Sequence, residues 1–110
     1  MSNPVEATVT GTASQDPWVL GVRAVASRIS FDRNRLAAGA SAVVLETIQL
    51  YKSSSEFGVD ILVLSVGPEA GLTQAESAKQ VKARIASLRK AIVATGLITA
   101  AEYRIGRARP

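Results

Sequence analysis

Cysteine and histidine are both absent from this 110-residue chain, and each absence excludes a kind of site. Without cysteine, neither disulfides nor thiolate metal ligands can form. Without histidine, the chain lacks the residue that serves most often as general base and as metal ligand. Lysine and carboxylate chemistry remain open, but the acidic residues show no metal-ligand spacing. We therefore expect a protein that is not an enzyme, with no catalytic residues, no metal and no cofactor.

Aromatic residues and long apolar runs are also scarce. The chain has one tryptophan, two tyrosines and two phenylalanines, and no RNP-like or zinc-finger pattern accompanies its basic residues. No apolar run approaches the length of about 18 residues that a transmembrane helix needs, so we expect no membrane span. The first residues, MSNPVEATV, lack a basic region followed by an apolar core, so we expect no secretory signal in this stretch.

The composition that remains is globular, with an excess of basic residues. Apolar residues make up 47% and charged residues 20% of the chain, which predicts one domain with one core. The formal net charge is +4, and such a balance suits nucleic acid, an anionic polymer or an acidic partner. Most of the excess lies in the last third, in Lys79, Lys82, Arg84, Arg89, Lys90, Arg104, Arg107 and Arg109.

Two periodicities compete in the N-terminal part of the chain. The stretch VEATVTGT alternates apolar and polar residues, which predicts a half-buried strand within residues 5–13. The next segment fits two structures. Its alternation and Gly21 favour a strand over residues 22–31, whereas Asp16 as N-cap and Pro17 at the first helical position would favour a helix. We favour the strand.

The remaining sequence predicts two helices and two strands. FDRNRLAAGASAVVLETIQLYKSSS has helical spacing, with Asp32 or Asn34 as its N-cap. VDILVLSV is a continuous apolar run typical of a central strand. Residues 74–95 form a second amphipathic helix that ends at Gly96, and AEYRIG is a last strand. The expected fold is α+β, a β-(β)-α-β-α-β sandwich with two helices on one face of a mixed sheet.

The order of these motifs is similar to that of one known family. The pair Phe31-Asp32 is followed by a turn and the helix NRLAAGASAVVLETIQLY, then by the apolar strand ILVLSV, the loop GPEAGL and the helix ending at Gly96. This series resembles the OmpA-like peptidoglycan-binding domain. The resemblance divides the single domain into an N-terminal strand extension, residues 1–27, and an OmpA-like core, residues 28–110.

The resemblance also implies a ligand site. In that family an arginine lies twelve residues before the helix-ending glycine, as Arg84 does before Gly96, and an aspartate lies fifteen residues before the arginine, where this chain has Glu69. Ser77 stands where the family has an asparagine. The acid would bind the ammonium of a diaminopimelate residue in a peptidoglycan stem, and the arginine its carboxylate. The family's Leu-Ser pair falls on Gln80-Val81.

Each implied ligand residue has a simpler alternative. Arg84 lies at the margin of the apolar stripe of its helix, so its stem could pack on the core while its charged head stays in water. Glu69 could be a solvated loop acid. The resemblance therefore implies Glu69, Ser77 and Arg84 as ligand-binding residues, whereas the alternatives make Arg84 structural and Glu69 a solvated acid.

Three functions follow from this reading. The first is a non-catalytic OmpA-like module of the bacterial cell envelope that contacts peptidoglycan, or a divergent member that has lost the ligand; if a leader is removed from a longer chain, it would lie in the periplasm. The second is a structural subunit of a secretion, envelope or virion assembly, with protein partners. Its N-terminal strand could add to a neighbour's sheet. The third, least favoured, is nucleic-acid binding through the basic C-terminal third.

Overall fold

The described part of the chain contains a three-stranded sheet, a separate two-stranded hairpin and three helices. The structure is a computed structural model that describes residues 5–9, 16–54 and 61–108. The predicted α+β class with a mixed sheet is confirmed. Among the described helices, none is both long enough and apolar enough to cross a membrane. The elements are β1 (Val5–Val9), α1 (Pro17–Ala26), β2 (Phe31–Asp32), β3 (Arg35–Leu36), α2 (Ala40–Ser54), β4 (Leu62–Val66), α3 (Gln74–Thr95) and β5 (Tyr103–Arg107).

The sheet has the order β1-β4-β5, so the apolar run LVLSV forms its central strand, as predicted. β1 runs antiparallel to β4, with Val5 opposite Val66. β5 runs parallel to β4, with Tyr103 opposite Leu62, and α3 makes the crossover between them. The expected β-(β)-α-β-α-β order contains two such crossovers, one through each predicted helix. The described chain has only this one, because β2 and β3 form a separate hairpin outside the main sheet.

One face of the sheet is buried under the helices, and the other is open. Side chains along β1 alternate strictly between buried and exposed positions, as period-2 strand geometry requires. Both predicted parts of the domain, residues 1–27 and 28–110, contribute to one core, for example through Val22 of α1 and Ile92 of α3. The open face carries mainly small and polar side chains. Its described members are Glu6, Thr8, Val63, Ser65, Arg104 and Gly106.

The predicted strand over residues 22–31 is wrong, because this segment contains the second half of helix α1. Pro17 occupies the first turn, and Val19, Val22 and Ala26 are buried at helical spacing. Gly21, which argued against a helix, lies where α1 meets α2; a Cβ there would be 3.5 Å from the Leu50 side chain. A Cβ would thus fit here in ordinary van der Waals contact, so the helix packing does not require glycine. The strand predicted within residues 5–13 is confirmed for β1, and residues 10–13 lie outside the described residues.

The start of the next predicted helix is also wrong. Neither Asp32 nor Asn34 caps it, because α2 begins at Ala40 and the preceding residues form the β2–β3 hairpin. The turn of this hairpin places Arg33 in the left-handed region, at φ 57°. Contacts with α3 hold the hairpin, including a hydrogen bond from the Leu36 amide to Ser87 Oγ at 3.1 Å. Tertiary contact therefore overrides the helical spacing of these residues.

Candidate functional site

The site implied by the sequence lies where the N-terminal half of α3 meets the loop after β4. Thr73 and Glu76 form a capping box at the start of α3: Thr73 Oγ1 accepts from the Glu76 amide, and the Glu76 carboxylate accepts from the Thr73 amide. The hydrogen bond from the Thr73 backbone lowers the pKa of Glu76. The helix ends where predicted, with Gly96 in the left-handed conformation at φ 67°. Both ends of α3 are therefore fixed by local residues.

Arg84 is buried at the centre of this region, with only 2% of its surface exposed. Its Nε donates to the Arg33 carbonyl at 2.6 Å, and its Nη1 donates to the Gly67 carbonyl at 3.1 Å. The guanidinium carbon lies 4.9 Å from the centroid of the Phe31 ring, within cation–π distance. One arginine therefore joins α3 to the hairpin and to the loop after β4.

Glu69 completes the set of groups around the guanidinium. Its Oε1 lies 3.5 Å from Arg84 Nη2, while 44% of the Glu69 side chain stays exposed. The Glu69 amide donates to Gln80 Oε1 at 2.7 Å, which holds the backbone of the loop. We call these residues the Arg84 cluster; its members are Phe31, Arg33, Gly67, Glu69, Gln80 and Arg84.

Burial sets the electrostatics of the cluster. Loss of water around the guanidinium lowers the pKa of Arg84, and the nearby Glu69 carboxylate partly offsets this by raising it. An arginine keeps its charge in such a setting, so the cluster contains a fixed, buried cation. The expectation that the head of Arg84 stays in water is wrong, since only 3% of its side chain is exposed.

The structure brings two of the three predicted site residues into contact. Glu69 and Arg84 form the ion pair described above, and Ser77 lies on the same helix about two turns before Arg84. Ser77 is half-buried, and its hydroxyl takes no part in the hydrogen bonds that join Glu69, Gln80 and Arg84 in the described chain. Its backbone amide donates to the Thr73 carbonyl at 2.8 Å.

Gln80 is the member of the cluster that the sequence did not reveal. It is 7% exposed and lies one turn before Arg84, so both polar side chains extend the buried face of α3 beyond its apolar stripe. The only signal was a polar residue where the resembling family has a leucine. Arg84 and Gln80 together bind a loop carbonyl, a loop amide and a carboxylate. In this structure these groups are the Gly67 carbonyl, the Glu69 amide and the Glu69 carboxylate, all from the protein itself.

Two shallow surface cavities lie near this site. One, of about 440 Å³, is lined by the polar hairpin turn from Asp32 to Arg35. The other, of about 340 Å³, runs along the side of α3 away from the hairpin. We call its lining the α3 strip, which consists of Ala78, Val81, Lys82, Ile85, Ala86 and Arg89.

No metal or family assignment emerges from these features. Within residues 5–9, 16–54 and 61–108, no three acidic side chains gather into a group that could hold a metal ion. Comparison with known proteins finds no matching family model, no matching curated protein and no matching solved structure.

Proposed function

We propose that this protein is a non-catalytic subunit of a larger assembly and that it works through protein–protein contacts. The observation that carries the proposal is the α3 strip. Ile85 is half-buried and Ala78 and Ala86 are exposed, and this apolar surface continues into Val93, which is 65% exposed and lies one turn beyond Arg89 on the same side of the helix. Apolar surface that continues over several turns of one helix, with charged residues beside it, is characteristic of interaction sites.

The state of the Arg84 cluster supports this proposal over ligand binding. A carboxylate ligand would need free donors on Arg84, but the Arg33 and Gly67 carbonyls and the Glu69 carboxylate already surround the guanidinium. To reach it, a ligand would have to displace Glu69 and enter a buried position. The cluster therefore supports a structural role, and the exposed side of α3 remains as the functional surface.

Size-exclusion chromatography with light scattering, and co-purification from the native host, test this proposal. The decisive variant is Ala86→Glu with Val93→Glu, because both positions are exposed and the change should leave the core intact. Leu20→Glu is a matched control, an exposed apolar residue on another helix. We expect the α3 variant, and not the control, to lose its partner. A clean monomer that recovers no partner would refute the proposal.

Peptidoglycan binding remains a second candidate, and one observation favours it. Glu69 and Arg84 lie together, as the resemblance implies for an acid and an arginine that share one ligand. A pull-down on purified peptidoglycan would test this with wild type and with Glu69→Gln, which changes an exposed side chain and spares the buried arginine. If this candidate is right, wild type binds and the variant does not. Wild-type protein left wholly in the supernatant would eliminate this candidate.

Nucleic-acid binding is the least favoured function on geometric grounds. Apart from the buried Arg84, the described basic side chains of the C-terminal third are exposed, but Arg104 and Arg107 lie on opposite faces of β5, since they are three positions apart along a strand. Such charges do not follow one groove. An electrophoretic mobility assay at low and moderate salt would decide the matter, because phosphate contacts weaken steeply as salt rises.

A further inference from the structure

β5 is an edge strand, and the hydrogen bonds at its two ends show which of its backbone groups face outward. The Leu62 amide donates to the Glu102 carbonyl at 3.0 Å, and the Ala108 amide donates to the Val66 carbonyl at 2.8 Å. In a parallel pair the bonded residues of one strand alternate. The even-numbered residues of β5 therefore bond to β4, and the backbone groups of Tyr103, Ile105 and Arg107 point away from the sheet.

No described residue pairs with this outer edge, because β5 has β4 as its sheet neighbour and lies at the end of the strand order. Tyr103 is only 7% exposed, whereas Ile105 is half-buried and Arg107 is exposed, so the accessible part of the edge consists of the amides and carbonyls of Ile105 and Arg107. Unpaired edges of this kind bind extended segments of other chains. The outward side of β5 is thus a surface on which a further strand can form.

The α3 strip belongs to the helix that packs on β5. α3 contacts β4 and β5, and the hairpin occupies one flank of the helix through Arg84 and Ser87. At about 100° per residue the strip lies on the opposite flank, where Lys82, Ala86 and Arg89 are exposed. Val81 is only 3% exposed, so Ile85 and Ala86 are the apolar residues of the strip that a strand added to β5 could contact.

The charges around this edge are positive. Lys82 and Arg89 border the strip, and Arg104 and Arg107 are exposed on β5. Glu102, at the start of the strand, is bound to Lys52 Nζ at 3.1 Å. A second copy of the chain would bring two sets of these positive charges together. A segment rich in acidic residues would instead complement them.

We infer that β5 and the α3 strip together bind an extended, acidic segment of a partner protein, which adds a strand to the sheet. The backbone of the segment bonds to Ile105 and Arg107, its apolar residues face the α3 strip, and its carboxylates lie on the opposite, open face of the sheet beside Arg104. This inference rests on the proposed function and names the partner's chemistry.

A pair of variants at one residue isolates the edge hydrogen bonds. Arg107→Pro and Arg107→Ala both remove the charge, but only proline also removes the outward amide; proline is tolerated on edge strands. The probe is a labelled synthetic peptide of about ten residues that alternates glutamate with valine. A peptide with lysine in place of each glutamate is the charge control. Urea unfolding of both variants checks that they fold.

We expect the acidic peptide to bind wild type, and to bind Arg107→Pro roughly fivefold to tenfold more weakly than Arg107→Ala, the scale of one lost hydrogen bond. The lysine peptide should not bind. On wild-type protein, N-methylation of alternate peptide residues should reduce affinity in only one of the two registers. This second measurement does not depend on the folding of a variant.

Several results would overturn the inference. The inference is wrong if both variants bind the acidic peptide equally, or if wild type binds both peptides equally. It is also wrong if wild type does not bind the acidic peptide, or if the protein self-associates and Arg107→Pro abolishes this. The proposed function would still be supported after any of these results if the Ala86→Glu, Val93→Glu double variant loses a partner that the Leu20→Glu variant still binds. A clean monomer without partners would refute the proposed function itself.

Discussion

Replacement of Arg84 should destabilise the fold far more than replacement of the acid it contacts. The arginine is buried, and it donates to two carbonyls that belong to distant segments. Arg84→Ala would leave the Arg33 and Gly67 carbonyls without these donors and would open a cavity beside Phe31. Glu69→Gln would alter only a contact of 3.5 Å to a side chain that is 44% exposed.

The magnitudes separate these variants. A buried acceptor left without a partner costs about 1–3 kcal/mol, and water can reach this region past the half-exposed Glu69, so the lower part of that range applies to each carbonyl. We therefore expect Arg84→Ala to reduce the free energy of unfolding by about 3 kcal/mol, a large share of the roughly 5–15 kcal/mol of a typical domain. Glu69→Gln should cost less than about 1 kcal/mol.

Urea unfolding followed by circular dichroism measures these differences as shifts in midpoint at constant slope. Arg84→Met separates hydrogen bonding from volume, because methionine fills much of the same space without donors; we expect it to lose about 2 kcal/mol. Arg89→Ala, an exposed arginine on the same helix, is the control and should change stability by less than about 0.5 kcal/mol. The reasoning fails if Arg84→Met is as stable as wild type, or if Glu69→Gln costs as much as Arg84→Ala.

Three further predictions concern the ends of α3 and the response to acid. Gly96→Ala should reduce the free energy of unfolding by about 1 kcal/mol because Gly96 has a positive φ. Gly106→Ala should leave the free energy of unfolding nearly unchanged, because Gly106 has open space around it and no positive φ. Equal melting temperatures of the two variants would contradict this. Thr73→Ala should cost about 1 kcal/mol by loss of the capping box, and an unchanged urea midpoint would contradict this. Hydrogen bonds from the Thr73 and Thr99 backbones lower the pKa of Glu76 and Glu102 in the folded state, so the stability that these carboxylates contribute is present above the ordinary pKa of 4.5 and is lost as pH falls through the lowered pKa. Glu76→Gln and Glu102→Gln should each flatten the acid side of a plot of urea midpoint against pH. An unaltered plot would show that these bonds do not form in solution.

Elements whose pattern is local could be predicted from the sequence. The bounds of α3 follow from its helical spacing and from Gly96, and β4 follows from its apolar run, so both were predicted closely. In α1 the same residues satisfy two periods at once, because small and branched apolar side chains occupy nearly every second position. The packing of α1 on α2 and β1 distinguishes helix from strand, and the contact with α2 joins distant parts of the chain.

The candidate site could be predicted only in part for the same reason. The spacing of Glu69 and Arg84 brought them to attention, and they do lie together. Their surroundings depend on the hairpin, which the sequence placed inside a helix. The burial of Arg84 comes from Phe31 and Arg33, whose contact with α3 exists only once the chain has folded back on itself.

The reach of Arg84 along the chain has a kinetic consequence. Its two carbonyl partners lie 51 and 17 residues away in sequence, so long loops must close before these bonds can form. We therefore expect the bonds to form late, after the rate-limiting step of folding. Interactions that form after that step slow unfolding and leave the folding rate nearly unchanged. In a chevron plot, Arg84→Lys should accordingly move the unfolding arm, and movement of the folding arm alone would contradict this order of events. The arginine would then determine how long the native state lasts more than how fast it is reached.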